Sequence, residues 1–309
     1  MDRLRAIELF VAIADSGSFA KAAKRLRLSP PAVTRAVASL EDRLGTRLLN
    51  RTTRSLSLTE AGIHFLDSAR RILGDLDQAE KAAAGEAAAP TGHLTLTAPV
   101  TFGRMHATPV LLEFLRAYPR VTASLMLLDR IVSLSEEGID AAIRIGDLPD
   151  SSVMARQVGE VQRVLVASPG YLSARGTPEK PADLRRHDIL SFPGATSPRE
   201  WRFQDGKRTT AVVIVPRLEV NDAAAAIAGA VLGEGITRAF TYMVAPPLAE
   251  GRLRLILDAF APPPVSVQIV YPQSRLIAAK LRAFIDFAAP RLSRALAEVG
   301  VQVTLARRR

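Results

Sequence analysis

Apolar and polar positions alternate in three different ways along the chain. Over the first 44 residues they recur at helical spacing. Leu4, Ile7, Phe10, Val11 and Ala14 form one face of a helix over residues 2–15. Ser18 opens a second helix, where its hydroxyl can accept from free backbone N–H groups, and Ala20, Ala22 and Ala23 allow close packing. Leu26 and Leu28 close a tight turn. A third helix begins at Ser29-Pro30, a cap residue followed by a proline whose missing N–H costs nothing in the first turn. Val33, Val37, Leu40 and Leu44 line its apolar face, Thr34, Arg35, Ala38, Ser39 and Asp42 fall on or near the other face, and Gly45 ends it. The stretch RLLNRTTRSLSLT then reads as a short hairpin turning at residues 50–54, with Leu48 and Leu49 in the core.

The second pattern is a seam. Leu58, Gly62, Phe65, Ala69, Ile72, Leu76, Ala79 and Ala83 alternate at spacings of four and three, which predicts a helix from Thr59 able to pair with a second copy. Packing on its own domain is the other reading of this seam. GEAAAPTG, residues 85–92, reads as a hinge.

From His93 short strands alternate with helices. LTLTAPV, VTASLMLL and IDAAIRIG are strands, separated by a helix capped at Thr101 and a short helix near residues 131–136. VQRVLVAS starts a second run, followed by DILSF, the hairpin WRFQDGKRTTAVVIV, RLEV, the helix NDAAAAIAGAVLG, GITRAF, RLRLILD, VSVQIVY and a helix over 276–288. Such alternation implies parallel sheets with crossover helices, here in two lobes. The chain is α/β overall, divided into a helical head with a hairpin (1–58), a linker helix and hinge (59–90), a two-lobed domain (91–302) and a basic tail (303–309).

Composition narrows the classes. With 309 residues the chain exceeds one small core, and 48% apolar content is globular. The lack of cysteine excludes disulfide frameworks and thiolate metal sites and agrees with a reducing compartment. Glu8 and Asp15 interrupt the first apolar stretch, which has helical spacing and does not read as a signal peptide. No apolar run is long enough to span a bilayer, 223–232 being the longest candidate, so a soluble cytoplasmic protein with no membrane contact is expected. Net charge is +10. Residues 1–60 hold eleven basic against six acidic residues, and residues 61–90 three against five. A basic head favours polyanions through counterion release; solubility is the plainer meaning. A short helix with small polar residues at its exposed N-terminal end suits the major groove of double-stranded DNA.

The runs A-D-S-G-S-F-A-K-A-A, L-S-P-P-A-V-T-R-A-V, L-E-D-R-L-G-T-R-L-L-N-R-T-T-R and L-T-E-A-G resemble the DNA-binding head of LysR-type transcriptional regulators. The family usually has serine at the position of Thr34 and often glutamine at that of Pro30. The resemblance implies a winged helix-turn-helix, with Ser18, Ser29, Pro31, Ala32, Thr34 and Arg35 facing DNA from the helices and Arg51, Thr52 and Arg54 from the wing. It also implies a dimerising linker helix, a homodimer that assembles into a homotetramer, and RNA polymerase as a candidate partner. G-x-L-x-L, F-L-R-A-Y-P, D-A-A-I-R-I-G, A-S-P-G-Y-L, N-D-A-A-A-A-I, G-E-G-I and G-R-L-R-L-I-L resemble the family's effector-binding half. That half has the periplasmic-binding-protein fold, with a ligand between two lobes.

Candidate cleft residues follow. Val100, Thr101 and Phe102 sit where a strand feeds a helix N-terminus, which favours an anion or is a plain cap. Arg144, in an apolar strand end, can clamp a carboxylate or pair with Asp129, Asp140 or Asp147. Asn221 and Asp222 open a helix, as cap or as cleft contact. Phe192 and Pro193, and Thr237 and Arg238, are cleft segments by resemblance. The family phrase after G-I has small residues and then proline, so Arg238 and Phe240 depart from it, and Arg238 adds a second positive group. A small organic acid is the expected effector.

No cofactor, metal or catalytic site is expected. His64, His93, His106 and His187 lack metal-ligand spacing, and neither a P-loop nor G-x-S-x-G occurs. Gly233-Glu234-Gly235 lacks the third glycine of a dinucleotide loop. Ser18 and Lys21 match S-x-x-K without its partner motifs. The rival readings are a non-specific DNA-architectural protein and a solute-binding protein.

Overall fold

A computed structural model describes residues 2–26, 28–51, 56–83, 90–147, 153–192, 200–273 and 277–307. The chain forms two compact units, the first running through His93 and the second built from Leu94 onward.

In the first unit, α1 (Arg3–Ser16), α2 (Phe19–Arg25) and α3 (Pro30–Leu44) are followed by β1 (Leu49–Arg51), β2 (Leu56–Leu58) and α4 (Glu60–Ala83). Leu9, Phe10, Ile13, Val33, Val37, Leu40 and Leu48 are buried in one core. Phe65 of α4 closes it, its ring 5.5 Å from that of Phe10. Ser18 caps α2 by accepting from the Lys21 N–H at 3.5 Å. Ser29 does not cap α3 with its side chain. Pro30 and Pro31 offer no N–H, and the Ala32 N–H goes to the Ser29 carbonyl at 3.0 Å. Glu41 of α3 accepts from the N–H groups of Leu48 and Leu49 at 2.8 and 3.0 Å, fastening the hairpin to the third helix.

The seam on α4 divides. Gly62 and Ala69 are buried and Phe65 packs in the head core, so its first two turns serve their own domain. Farther along, Ile72 is 47% exposed. The side chains of Ala79 and Ala83 lie outside the described residues, as does most of the expected hinge.

The second unit contains β3 (Gly92–Ala98), α5 (Val100–Phe102), a π-helical turn (Gly103–Ala107), α6 (Thr108–Ala117), β4 (Val121–Leu127), β5 (Ala141–Ile145) and β6 (Val153–Val161). Then come β7 (Arg163–Ala167), α7 (Pro169–Arg175), β8 (Ile189–Ser191), β9 (Glu200–Asp205), β10 (Arg208–Val213), β11 (Leu218–Glu219) and α8 (Ala223–Val231). The last elements are β12 (Ile236–Phe240), α9 (Thr241–Ala249), β13 (Arg254–Ile256), β14 (Val265–Pro272) and α10 (Ala279–Arg307). One five-stranded sheet has the order β4-β3-β5-β14-β6, the other β11-β8-β12-β7-β13, and β9 and β10 form a separate hairpin.

Three expectations change. The sheets are mixed, because β14 runs antiparallel to β5 and β6, and β7 antiparallel to β12 and β13. Residues 134–138 are turns, with no helix at 131–136. Residues 303–307 continue α10 and are not a tail.

This topology positions the site. β3 and β5 are parallel, so Val100, Arg144 and Asp147 gather at one edge of the first sheet. β8 and β12 are parallel, so Phe192 and Phe240 gather at one edge of the second, where antiparallel β7 begins at Arg163. The chain crosses between these edges at Gln162 and again over 257–264. Gln162 donates to the Pro262 carbonyl at 3.0 Å. Arg307 at the end of α10 donates to Gln162 Oε1 at 2.7 Å and to Asp258 Oδ1 at 3.0 Å, so one side chain ties both crossings. Open α/β sheets hold ligands at the carboxyl ends of their parallel strands, which is where these two edges meet.

Candidate nucleic-acid interface and effector cleft

The outward face of α3 is set by what its inner face buries. Val33, Ala36, Val37 and Leu40 are in the core, which leaves Ser29, Pro31, Thr34 and Arg35 exposed and Ala32 partly so. The Thr34 hydroxyl donates to the Pro30 carbonyl at 3.0 Å, so toward DNA it offers oxygen lone pairs and a methyl group. Arg35 forms no ion pair with any described residue. Ser18, half-buried, serves α2 as its cap. Thr52 and Arg54 lie outside the described residues; Arg51 ends β1, but its side chain also lies outside them.

In the cleft, several sequence candidates take roles different from those expected. Pro99 occupies the cap position of α5, and the Val100 N–H donates to Asp129 Oδ1 at 3.0 Å. Thr101 is therefore not the cap. It is buried in the first turn, and a carboxylate of the protein already takes the helix's leading N–H. Arg144 donates to the carbonyls of Arg130 and Val132 at 3.3 and 3.1 Å, where an ion pair with Asp129, Asp140 or Asp147 was one expectation. Its guanidinium thus holds the loop after β4. Asp222 caps α8 through the Ala224 N–H at 3.1 Å, leaving Asn221 exposed. Phe192 is half-buried at the end of β8, and Pro193 lies outside the described residues.

Residues not singled out beforehand make up much of the boundary between the lobes. Phe102 and His106 of the first lobe meet Tyr242 of the second, with ring centroids 5.2 and 5.6 Å from the tyrosine. Phe240 stacks on Tyr242 at 6.0 Å. The Tyr242 hydroxyl, His106 Nε2 and Thr237 Oγ1 are buried without a hydrogen-bond partner among the described residues. Burial, with a smaller contribution from Asp129, drives the Tyr242 pKa upward, so its hydroxyl keeps its proton. Arg238 lies 4.8 Å over the Trp201 ring. Burial, then repulsion from Arg163, lowers its pKa to about 10, which leaves it charged at neutral pH. Arg163 is legible by the same signal as Arg144, a lone cation beginning the apolar run RVLVA.

Burial also pushes the His106 pKa below its usual value. The unfolded chain therefore takes up this proton more readily than the folded one. The stability this group contributes is complete above about pH 6.5 and is lost as pH falls below that value. His106→Gln is expected to flatten the decline in melting temperature between pH 7 and pH 5. His187 is shifted in the same direction in both proteins and cancels in the comparison. Superimposable profiles for the two proteins would refute the assignment.

Among the described residues no helix is long and apolar enough to cross a membrane, and no group of acidic, histidine or cysteine side chains is arranged to hold a metal. Residues 4–63 match the family described as bacterial regulatory helix-turn-helix protein, lysR family, and residues 87–293 match the LysR substrate binding domain. A transcriptional repressor of Pseudomonas aeruginosa is 36% identical over 93% of this chain and 91% of its own length. The full-length virulence activator AphB of Vibrio cholerae superimposes with a TM-score of 0.60 at 28% identity, covering 93% of this chain and 98% of that one. CrgA of Neisseria meningitidis, described as a LysR-type transcriptional regulator, does so at 0.60 and 31% identity with the same coverage. With both halves matched and the geometry of a winged head and a two-lobed partner in place, the chain belongs to the LysR family, as a DNA-binding transcriptional regulator with an effector-binding domain and not as an enzyme.

Proposed function

We propose that this regulator binds specific DNA as a cytoplasmic homodimer, pairs dimers into a homotetramer, and responds to a small organic acid held between its two lobes. The observation that carries the acid is Arg238. Its guanidinium is buried at the cleft edge of the second sheet and remains charged there. A buried cation at a ligand-binding edge costs free energy unless an anion compensates it. RNA polymerase is the partner through which a change in bound DNA geometry would be read.

Two measurements test this reading. Operator DNA selected from a random pool should bind at least about a thousandfold more tightly than random DNA at physiological salt, and an organic acid should shift the operator curve. Equal affinity for both DNAs, varying with salt alone, would instead indicate a non-specific architectural protein. For assembly, Ile72→Asp places a charge on the exposed part of the α4 seam. It is expected to yield monomers in sedimentation while leaving the head folded, since Ile72 is outside the head core. An unchanged oligomer would show that α4 does not carry the dimer.

A further inference from the structure

Arg163 and Arg238 stand on neighbouring strands of the second sheet. Phe240 is paired with Arg163, and Leu165 with Arg238, so the two arginines are diagonal neighbours on one face. Such diagonals are about 7–8 Å apart, within reach of two long side chains. Each guanidinium lies on a ring, Arg163 4.7 Å from the centre of Phe240 and Arg238 4.8 Å from that of Trp201. Stacking fixes the plane of each guanidinium and covers a face, directing its binding capacity to the N–H donors along its edge.

Electrostatics point the same way. Burial disfavours the charge on both groups, and Arg163 repels Arg238. The acid whose field reaches Arg163 is Asp147, at the edge of the other lobe. The pair sits at the rim of an apolar core that includes Leu165, Ile236, Trp201 and Phe203. Folding alone gains nothing by placing two like charges there, and an anion between them turns their repulsion into shared attraction. The ends of β8 and β12 bring the half-buried rings of Phe192 and Phe240 to the same edge.

We propose that Arg163 is a specificity-determining residue of the effector site. It and Arg238 grip a single carboxylate, one oxygen to each guanidinium, and the acid is a monocarboxylate whose apolar body meets Phe192 and Phe240. This rests on the acid-responsive reading above.

Trp201 is the single tryptophan of the chain and carries the Arg238 guanidinium on its ring, so its emission reports the site directly. The experiment titrates the full-length protein at constant ionic strength with benzoate and hexanoate, and with benzamide and hexanamide as neutral counterparts. A saturable change in Trp201 emission with at least one acid and neither amide is expected. In Arg163→Gln the midpoint should rise at least tenfold while the melting profile still shows a folded protein, and Arg163→Lys, which keeps the charge and loses the fork, should fall between. Equal midpoints in the wild type and Arg163→Gln would overturn the proposal, as would a wild type that responds to neither acid or equally to the amides. Acids that shift operator binding alike in the wild type and Arg163→Gln would overturn the role of Arg163 and leave the acid-responsive reading standing. An operator curve that no carboxylate moves would remove both.

Discussion

Replacing Gly62 with alanine is expected to abolish specific DNA binding by breaking the joint between hairpin and linker helix. A Cβ at this position would lie 2.0 Å from the carbonyl oxygen of Leu48 and 2.9 Å from its carbonyl carbon. These are backbone atoms and cannot swing aside as a side-chain end can. The same oxygen accepts the Thr59 N–H at 3.0 Å. The Thr59 hydroxyl donates to the Arg47 carbonyl at 2.7 Å and accepts from the Gly62 N–H at 2.9 Å. One methyl group thus strains three hydrogen bonds together. Overpacking of this kind costs about 3 kcal/mol, a large share of what a head of this size can spare. Gly74, on the same helix, is the control. A Cβ there meets nothing within 4 Å, so Gly74→Ala should gain up to about 1 kcal/mol from helix propensity. Thermal melts of the two variants should shift in opposite directions, and shifts of the same sign would contradict the packing described at the joint.

Arg35→Ala has the largest expected effect on recognition itself. A bidentate contact to a base edge is worth about 1–3 kcal/mol. In a two-fold dimer on a pseudo-palindromic site the loss occurs twice, about 2–6 kcal/mol, or roughly thirtyfold to ten-thousandfold in operator affinity. Random DNA should then be bound nearly as before. Should Arg35 meet phosphate instead, affinity would fall alike on both DNAs and the salt dependence would become shallower by about one counterion per contact. Competition titrations on operator and random DNA at several salt concentrations separate these outcomes. A variant indistinguishable from the wild type on both would remove Arg35 from the interface.

The head was legible because its determinants are local. The spacing of Val33, Val37 and Leu40, the Ser18 cap and the left-handed Gly45 at φ +66° are written within a few residues of where they act. Ser29 misleads because two successive prolines remove the donors its hydroxyl would accept from, a matter of which N–H groups exist rather than of residue preference. The long helix was legible as a seam, but not the division of that seam, since the burial of Phe65 depends on Phe10 in another helix. The sheets were less legible because β14 inserts beside β5 from more than a hundred residues away. The local pattern of AAIRIG shows that Arg144 needs partners and cannot show that they are carbonyls of residues 130 and 132. α9 was hidden by Pro246 and Pro247, which each remove a helical N–H; the burial of Tyr242, Val244, Ala245 and Leu248 offsets that loss. The aromatic contacts between the lobes needed the fold, because Phe102, His106 and Tyr242 come from elements far apart in the chain.

The central claim is that the two halves form one thermodynamic unit, with acid binding in the lobes and DNA binding in the head linked. The most direct test is the affinity of the full-length protein for its selected operator, measured by anisotropy with and without a saturating carboxylate that changes Trp201 emission. The account predicts a shift of about fivefold or more, a coupling of about 1–3 kcal/mol, with the acid's own affinity changing by the same factor when operator is present. An acid that saturates the Trp201 signal and leaves the operator curve and the extent of DNA bending where they were would contradict it.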